Sequence, residues 1–394
     1  MIDCQRAQFS LPADAHYLNC AYMGPLSRRT QDAGTAAVLR KADPTRIAVG
    51  DFFEESDRAR ALFAALIGAP AERIALVPAV SYALAIVERN LAGRHGGNVV
   101  IAAEQFPSNV YAWRRLCRRT GAQLRTVAPP VSADARGAAW NQALLDAIDR
   151  DTLLVALPHV HWTDGTRFDL ERLAERARQV GAAFVVDGTQ SIGALPFDVG
   201  RVQPDFVACA AYKWLLGPYS IGFAFVGDRF ADGEPLEETW IGRAGSRDFR
   251  ALVDYRDDYQ PGALRFDVGE RSNFILVPMA IAALEQVRDW GAAAIQSYCE
   301  HLLQDVLAEA AGLGFRIEDA EWRGAHLVGL RAPAGIDLAA LDAELRRHHV
   351  FASLRGSALR VSPNVYNDDG DAGALLAALR AAAAAAAPRA AGIR

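Results

Sequence analysis

The chain has 394 residues, 51% of them hydrophobic and 23% charged, with a formal net charge of −5. That length exceeds the ~250–300 residues at which a single core stops growing, so two lobes are expected, and the acidic balance argues against nucleic-acid binding as the main task. Cys4, Cys20, Cys117, Cys209 and Cys299 lack CxxC spacing and fit a reducing cytoplasm rather than a disulfide framework or zinc site, while no apolar run approaches the ~18 residues of a membrane span and the N-terminus has no signal-peptide order.

Residues 9–27, FSLPADAHYLNCAYMGPLS, hold turn formers around a short apolar strand at Tyr17-Leu18 and read alone as an N-terminal arm. Helices are predicted over residues 28–40 and 51–67, the second with apolar positions at Phe52, Phe53, Leu62, Leu66 and Ile67. From Ile74 the chain reads as a strand that passes through Pro78-Ala79-Val80-Ser81 into a helix. A helix start offers free backbone N–H groups and the positive dipole end, the usual seat for a phosphate, and the Ser81 hydroxyl adds a donor. The other reading of Ser81 is an ordinary N-cap.

The next strand, from Asn98 to Ala103, ends in Glu104-Gln-Phe-Pro-Ser-Asn109. An aromatic just past a strand can stack on a planar ring, which makes Phe106 a candidate; the alternative is a core phenylalanine that anchors the loop. A strand over 152–158 leads into His159-Val-His161-Trp-Thr-Asp-Gly165. The two histidines share one face, yet no carboxylate or cysteine cluster completes a metal site, so none is predicted. A helix over 168–180, introduced by Asp169, completes a right-handed crossover to the following strand.

Residues 183–222 are the most informative stretch. An apolar run from Ala183 to Val186 delivers Asp187 at the strand edge where open α/β sheets bind ligands. A second run, Phe206 to Ala211, delivers Lys213 among Tyr212, Trp214, Leu215 and Leu216, with Gly217-Pro218 behind. Desolvation would lower the pKa of such a lysine and free its amine as a Schiff-base nucleophile. Asp187, an ionisable group ending a hydrophobic strand, needs a cationic partner. A protonated pyridine nitrogen is one, and a lysine that binds an aldehyde beside a carboxylate that holds a pyridinium is the pairing pyridoxal phosphate requires.

Beyond Lys213, Glu237-Glu-Thr-Trp-Ile-Gly242 leaves Trp240 in a polar loop, and Gly269-Glu-Arg-Ser-Asn273 follows a long connection. Helices are predicted over 274–290 and 293–311, bridging to a smaller lobe with strands at 315–317 and 327–330, a helix at 337–348 and an extended stretch over 350–354. Within Leu359-Arg-Val-Ser-Pro-Asn-Val-Tyr-Asn367, the fork of Arg360 could clasp a carboxylate or close a strand-edge salt bridge; Arg355 is the second choice. The alanine-rich tail from Ala374 reads as a helix that frays after Pro388.

The order of strand, Asp187, Gln190, second strand, Lys213 and glycine turn resembles the class V aminotransferase family of fold-type I pyridoxal-phosphate enzymes, which includes cysteine desulfurases, kynureninases and isopenicillin N epimerase. The resemblance implies an α/β fold: a large domain over 31–290 with a mainly parallel sheet flanked by helices, a smaller α+β C-terminal domain over 291–394, and an N-terminal arm over 1–30 that joins the small lobe. It also implies pyridoxal 5′-phosphate, held as an imine by Lys213, with Asp187 on the ring nitrogen and Gln190 on the ring hydroxyl. Phe106 would stack on the ring, Trp162 would line the pocket, and Val80, Ser81 and Tyr212 would grip the phosphate. Trp240, Ser272 and Asn273 resemble cross-subunit contacts and imply a homodimer with shared active sites; interface packing is their other reading. Arg360 would hold the carboxylate of a small amino-acid substrate, with Asn19 and Tyr22 as further contacts.

Within the family the residues lean two ways. Phe106, Trp162, Tyr212-Lys213, Trp240 and the Arg360 segment resemble kynureninases, whereas Gln190 is shared with desulfurases and epimerases. A desulfurase needs a cysteine between the small-lobe strand and the carboxylate arginine; residues 332–366 contain none, which disfavours persulfide chemistry. The expectation is an aminotransferase-like enzyme acting on the amino group or Cα of an amino acid. Kynureninase-like hydrolysis, C–S lysis and epimerisation stay open, and an inactive binding scaffold is the non-enzymatic alternative.

Overall fold

Buried aliphatic strands alternating with helices build the larger core. The computed structural model describes residues 2–386 except 92, 94 and 131–134, so the expected fraying after Pro388 lies outside the described residues. In chain order the first strands are β1 (His16–Tyr17), β2 (Ile74–Val77), β3 (Asn98–Ala102), β4 (Gln123–Val127), β5 (Thr152–Pro158), β6 (Ala183–Asp187), β7 (Phe206–Ala210) and β8 (Gly222–Val226). All but β1 form one sheet in the order β2-β8-β7-β6-β5-β3-β4. Strands β3 to β7 pair in parallel, and β8 runs antiparallel to both its neighbours.

Every residue of β2, β3, β6 and β7 is buried. A sheet covered on both faces demands this, which is why these strands read as continuous apolar runs. Alternate residues serve opposite faces: Val100 and Ala102 pack in one core cluster, Val99 and Ile101 in the other. The covering helices are α1 (Arg28–Ala42), α2 (Glu54–Ile67), α3 (Val80–Leu91), α4 (Ser108–Thr120), α5 (Arg136–Ala147), α6 (Leu170–Val180), α7 (Val199–Val202) and α8 (Leu276–Trp290). Phe63 of α2, Trp140 of α5, Leu173 of α6 and Leu284 of α8 cover one face, and Leu84 of α3 with Trp113 and Leu116 of α4 cover the other. The Asp169 side chain accepts from the Arg172 N–H to start α6, and Gly181 at φ 76° ends it.

The smaller lobe contains β9 (Val328–Arg331), β10 (Val350–Phe351), β11 (Ser353–Arg355) and β12 (Ala358–Val361) with α9 (Ala292–Gly312), α10 (Leu338–Arg347) and α11 (Asp369–Ala386). Its antiparallel sheet runs β11-β12-β9, and the arm joins it because β1 pairs in parallel with β10. Leu18 of the arm lies in the same core as Leu303, Leu330, Leu359 and Leu379.

Three expectations are corrected. The helix expected from residue 51 begins at Glu54, after a 3-10 turn over Val49–Phe52 in which Asp51 accepts from the Ala48 N–H. The strand expected at 315–317 reduces to one bridge, Arg316 to Arg331. The extended run over 350–354 splits, since Val350 pairs with His16 while Ser353 pairs with Arg360.

Candidate active site

The C-terminal ends of β2, β3, β5, β6 and β7 and the start of antiparallel β8 meet around a cavity of about 430 Å3. This is the edge at which such sheets bind ligands. Eight residues singled out from the sequence line it: Val80, Ser81, Phe106, Trp162, Asp187, Gln190, Tyr212 and Lys213. They come from five separate strand-to-loop junctions.

Lys213 sits two residues beyond the Ala211 carbonyl that accepts from Gly217 N–H at 2.9 Å, in a turn that holds Leu216 at φ 53°. The N-terminal arm secures this turn, for Gly24 N–H donates to the Tyr212 carbonyl at 2.9 Å. A Cβ on Gly24 would lie 2.2 Å from the Lys213 carbonyl oxygen, so only glycine lets the arm pass this close. Lys213 is 7% exposed. Burial lowers its pKa from 10.5 to about 8, with Asp187 acting against the drop and Arg360 adding to it. Its Nζ lies 5.4 Å from the Phe106 ring centroid and 5.5 Å from that of Tyr212. Phe106 meets Trp162 edge-on at 5.5 Å.

Asp187 is 8% exposed. Burial raises its pKa above the usual 3.8, opposed by hydrogen bonds from Thr189 and by the Lys213 charge. The Thr189 N–H donates to Asp187 Oδ1 at 3.0 Å, and Thr189 Oγ1 accepts from Ala210 N–H at 3.2 Å, tying the ends of β6 and β7 together. Thr189 was missed from the sequence. Its signal is the Asp-Gly-Thr order, in which an aspartate side chain turns to the N–H two residues on.

Gln190 is already engaged: its Oε1 accepts from Trp214 Nε1 at 2.9 Å and its Nε2 donates to the Ala21 carbonyl at 3.1 Å. An amide nitrogen has two protons, so one donor remains for a ligand. Behind it, His326 donates through Nε2 to the Gln190 carbonyl at 2.7 Å.

Arg360 does not line the cavity but stands just beyond Trp162, whose carbonyl accepts from its Nη1 at 2.7 Å. It is 1% exposed, and its Nε and Nη2 have no partner among the described residues. Burial and the neighbouring Arg355 bring its pKa from 12.5 down to about 9, against the pull of Tyr17. A buried cation with free donors calls for an anion from outside the chain.

The remaining expected residues lie elsewhere. Asn19 is buried, with its Oδ1 accepting from the Ser353 hydroxyl at 2.9 Å, while Tyr22 is 58% exposed; neither lines the cavity. Trp240, Ser272 and Asn273 border a separate cavity of about 380 Å3. Trp240 packs among Phe52, Phe53 and Phe249, the Ser272 hydroxyl donates to the Phe52 carbonyl, and Asn273 Oδ1 accepts from the Ile275 and Leu276 N–H groups to cap α8. His161 bonds to the Ala103 carbonyl and the Thr163 hydroxyl, and no cluster of three metal-binding side chains occurs among the described residues.

A seven-stranded sheet with one antiparallel member, and a buried lysine and a buried aspartate at adjoining strand ends lining one cavity, define the fold-type I pyridoxal-phosphate class. The chain belongs to the class V aminotransferase family, whose model, Aminotransferase class-V, matches residues 41–319. It is similar to the uncharacterized aminotransferase YcbU of Bacillus subtilis (strain 168), with 29% identity over 345 residues that cover 87% of this chain and 86% of that one. It is also similar to isopenicillin N epimerase of Streptomyces clavuligerus, with 28% identity over 334 residues, 82% of this chain and 83% of the relative. Its fold matches that of the apo cysteine desulfurase from Thermococcus onnurineus NA1 at a TM-score of 0.82 and 20% identity, covering 98% and 99% of the two chains. The cofactor of the family is pyridoxal 5′-phosphate. The residues present fit it: a desolvated lysine for its aldehyde, a buried carboxylate short of a cation for its ring nitrogen, and a helix start with an exposed hydroxyl for its phosphate.

Proposed function

We propose that this chain is an aminotransferase-like pyridoxal 5′-phosphate enzyme that takes the α-proton of an amino acid with Lys213. The observation that carries the reading is Lys213 itself, a buried amine in the cavity that Asp187 also lines, brought to about 8 by burial, with Asp187 opposing that drop and Arg360 adding to it. Lys213 would hold the cofactor aldehyde, Asp187 the ring nitrogen, the free Gln190 N–H the ring hydroxyl, and Phe106 the ring face. Val80, Ser81 and Tyr212 would hold the phosphate at the start of α3. When bound, the cofactor supplies an electron sink for the bonds to Cα.

Lys213 Nζ, partly neutral near pH 8, can accept the α-proton and return it. Arg360 orients that proton by gripping the α-carboxylate through Nε and Nη2. Phe106 and Trp162 narrow the site against water. Transfer of the amino group is favoured by the similarity to YcbU over most of both chains, and the lack of cysteine in residues 332–366 speaks against persulfide formation. Epimerisation is the second reading, favoured by the similarity to isopenicillin N epimerase. We further infer a homodimer in which Trp240, Ser272 and Asn273 complete the partner's phosphate site, supported by the exposed Trp240 ring, which packs on Phe52 and Phe249. Residues 31–290 would form the large domain and residues 1–30 with 291–394 the small one, in keeping with their separate cores. The five free thiols support a reducing, cytoplasmic setting.

The test is spectroscopic. The purified protein should absorb at ~410–430 nm, where a lysine imine of this cofactor absorbs, and Lys213→Ala should lose the band. A panel of amino acids in deuterated water, followed by mass spectrometry, separates the outcomes. A keto acid indicates transamination, deuterium at Cα with inverted configuration on chiral chromatography indicates epimerisation, and fragmentation indicates the C–S lyase or kynureninase-like hydrolase reading. No absorbance band would sink the proposal.

A further inference from the structure

Two arginines face the active-site wall without a counter-ion among the described residues. In the β11–β12 ladder Ser353 lies opposite Arg360 and Arg355 opposite Ala358. Opposite residues share a face, so Arg355 and Arg360 are diagonal neighbours, ~7–8 Å apart at the backbone. Arg360 is almost wholly buried with Nε and Nη2 unpartnered; Arg355 is partly buried, spends Nη1 on the Leu354 carbonyl at 2.8 Å and leaves a buried Nε unpartnered. Neither meets a carboxylate among the described residues. The contrast with Arg331 and Arg136 is direct, since both of those pair with Asp164.

Trp162 links the two free guanidiniums to the chemistry. Its carbonyl accepts from Arg360, the Arg355 guanidinium carbon stands 5.6 Å from its ring centroid, and its side chain lines the Lys213 cavity. The two cations are not equivalent. Arg360 is almost wholly buried and bonds the Trp162 backbone, whereas Arg355 is only partly buried and stands over the Trp162 ring. A monocarboxylate substrate would neutralise one guanidinium and leave the other facing a like charge in a partly desolvated site.

We infer that the substrate is an acidic α-amino acid, its α-carboxylate held by Arg360 and its side-chain carboxylate by Arg355. This rests on the amino-acid reading of the site. The experiment compares the loaded wild-type enzyme with Arg355→Gln and Arg355→Lys on aspartate, glutamate and 2-aminoadipate against alanine, methionine and phenylalanine. Binding of glutarate, succinate and butyrate to the protein as purified is measured alongside by calorimetry. Acidic substrates are expected to exceed neutral ones in kcat/KM by about tenfold or more, and Arg355→Gln to raise KM for the acidic set alone by ~10–100-fold, the loss of a charge-assisted pair, with kcat little changed. Arg355→Lys should recover part of the loss, and glutarate binding should weaken in step while butyrate does not respond. Preference for neutral amino acids, or an equal effect of Arg355→Gln on both classes, would overturn the inference and leave the reading of the site intact. If no cofactor band forms, that reading fails, and the calorimetric preference for dicarboxylates still decides the inference.

Discussion

Removing the charge of Asp187 or of Arg360 should move the Lys213 ammonium in opposite directions. Burial takes this group from 10.5 to about 8, a difference worth about 3 kcal/mol between its two protonation states. At about pH 7.5 roughly a quarter of Lys213 amines are then neutral, against about one in a thousand for an exposed lysine, an enrichment of some two hundredfold. Asp187 holds the value up and Arg360 holds it down, so Asp187→Asn should lower the midpoint below about 8 and Arg360→Gln should raise it above. The assay is the rate of imine formation between the cofactor-free protein and a simple aromatic aldehyde over about pH 6 to 10, with Lys213→Met as the blank. Stability carries the same signature. The unfolded lysine keeps its proton up to 10.5 and the folded one releases it near 8, so the unfolded chain binds more protons between those values. The penalty is therefore complete below about pH 8 and fades as pH rises through this window, a slope that Lys213→Met should abolish. A wild-type midpoint near 10.5, or shifts of the same sign in both variants, would refute the argument.

Two further outcomes follow from the buried framework. Asp267 accepts from Arg60 Nη2 at 2.8 Å, from the Leu76 N–H at 2.7 Å and from Arg271, all buried, so Asp267→Ala strands two guanidiniums and should cost about 3–5 kcal/mol. Chemical denaturation measures it, and a loss below about 1 kcal/mol would contradict the role. Gly24→Ala forces the arm away from the Lys213 carbonyl and should cost about 1–3 kcal/mol as an overpacked contact, with weaker cofactor retention. A melting temperature and absorbance band equal to wild type would speak against it.

The legibility of most strands follows their burial, though β8 (Gly222–Val226), almost wholly buried, was not read from the sequence. Strands β2, β3, β5, β6 and β7 were readable as apolar runs because a sheet covered on both faces has no polar side. β4 was not, for its residues are all exposed or half-exposed, so no apolar run marks it. Asp187 and Lys213 were legible for the same reason in reverse, as charges that interrupt or end an apolar run. Thr189 escaped notice because its hydroxyl ties in Ala210, which is 21 residues away in sequence on the adjacent strand.

By itself, then, the order of residues determined which chemistry the chain can carry: an ionisable group inside an apolar run is desolvated wherever the run is buried, and that is visible in one dimension. Only the tertiary structure decided which charges are neutralised. Arg331 finds Asp164 and, among the described residues, Arg360 finds only the carbonyl of Trp162, 198 residues away, while the β11–β12 register turns Arg355 to the same side. Coulombic pairing depends on distance through space, and folding sets that distance without regard to separation along the chain.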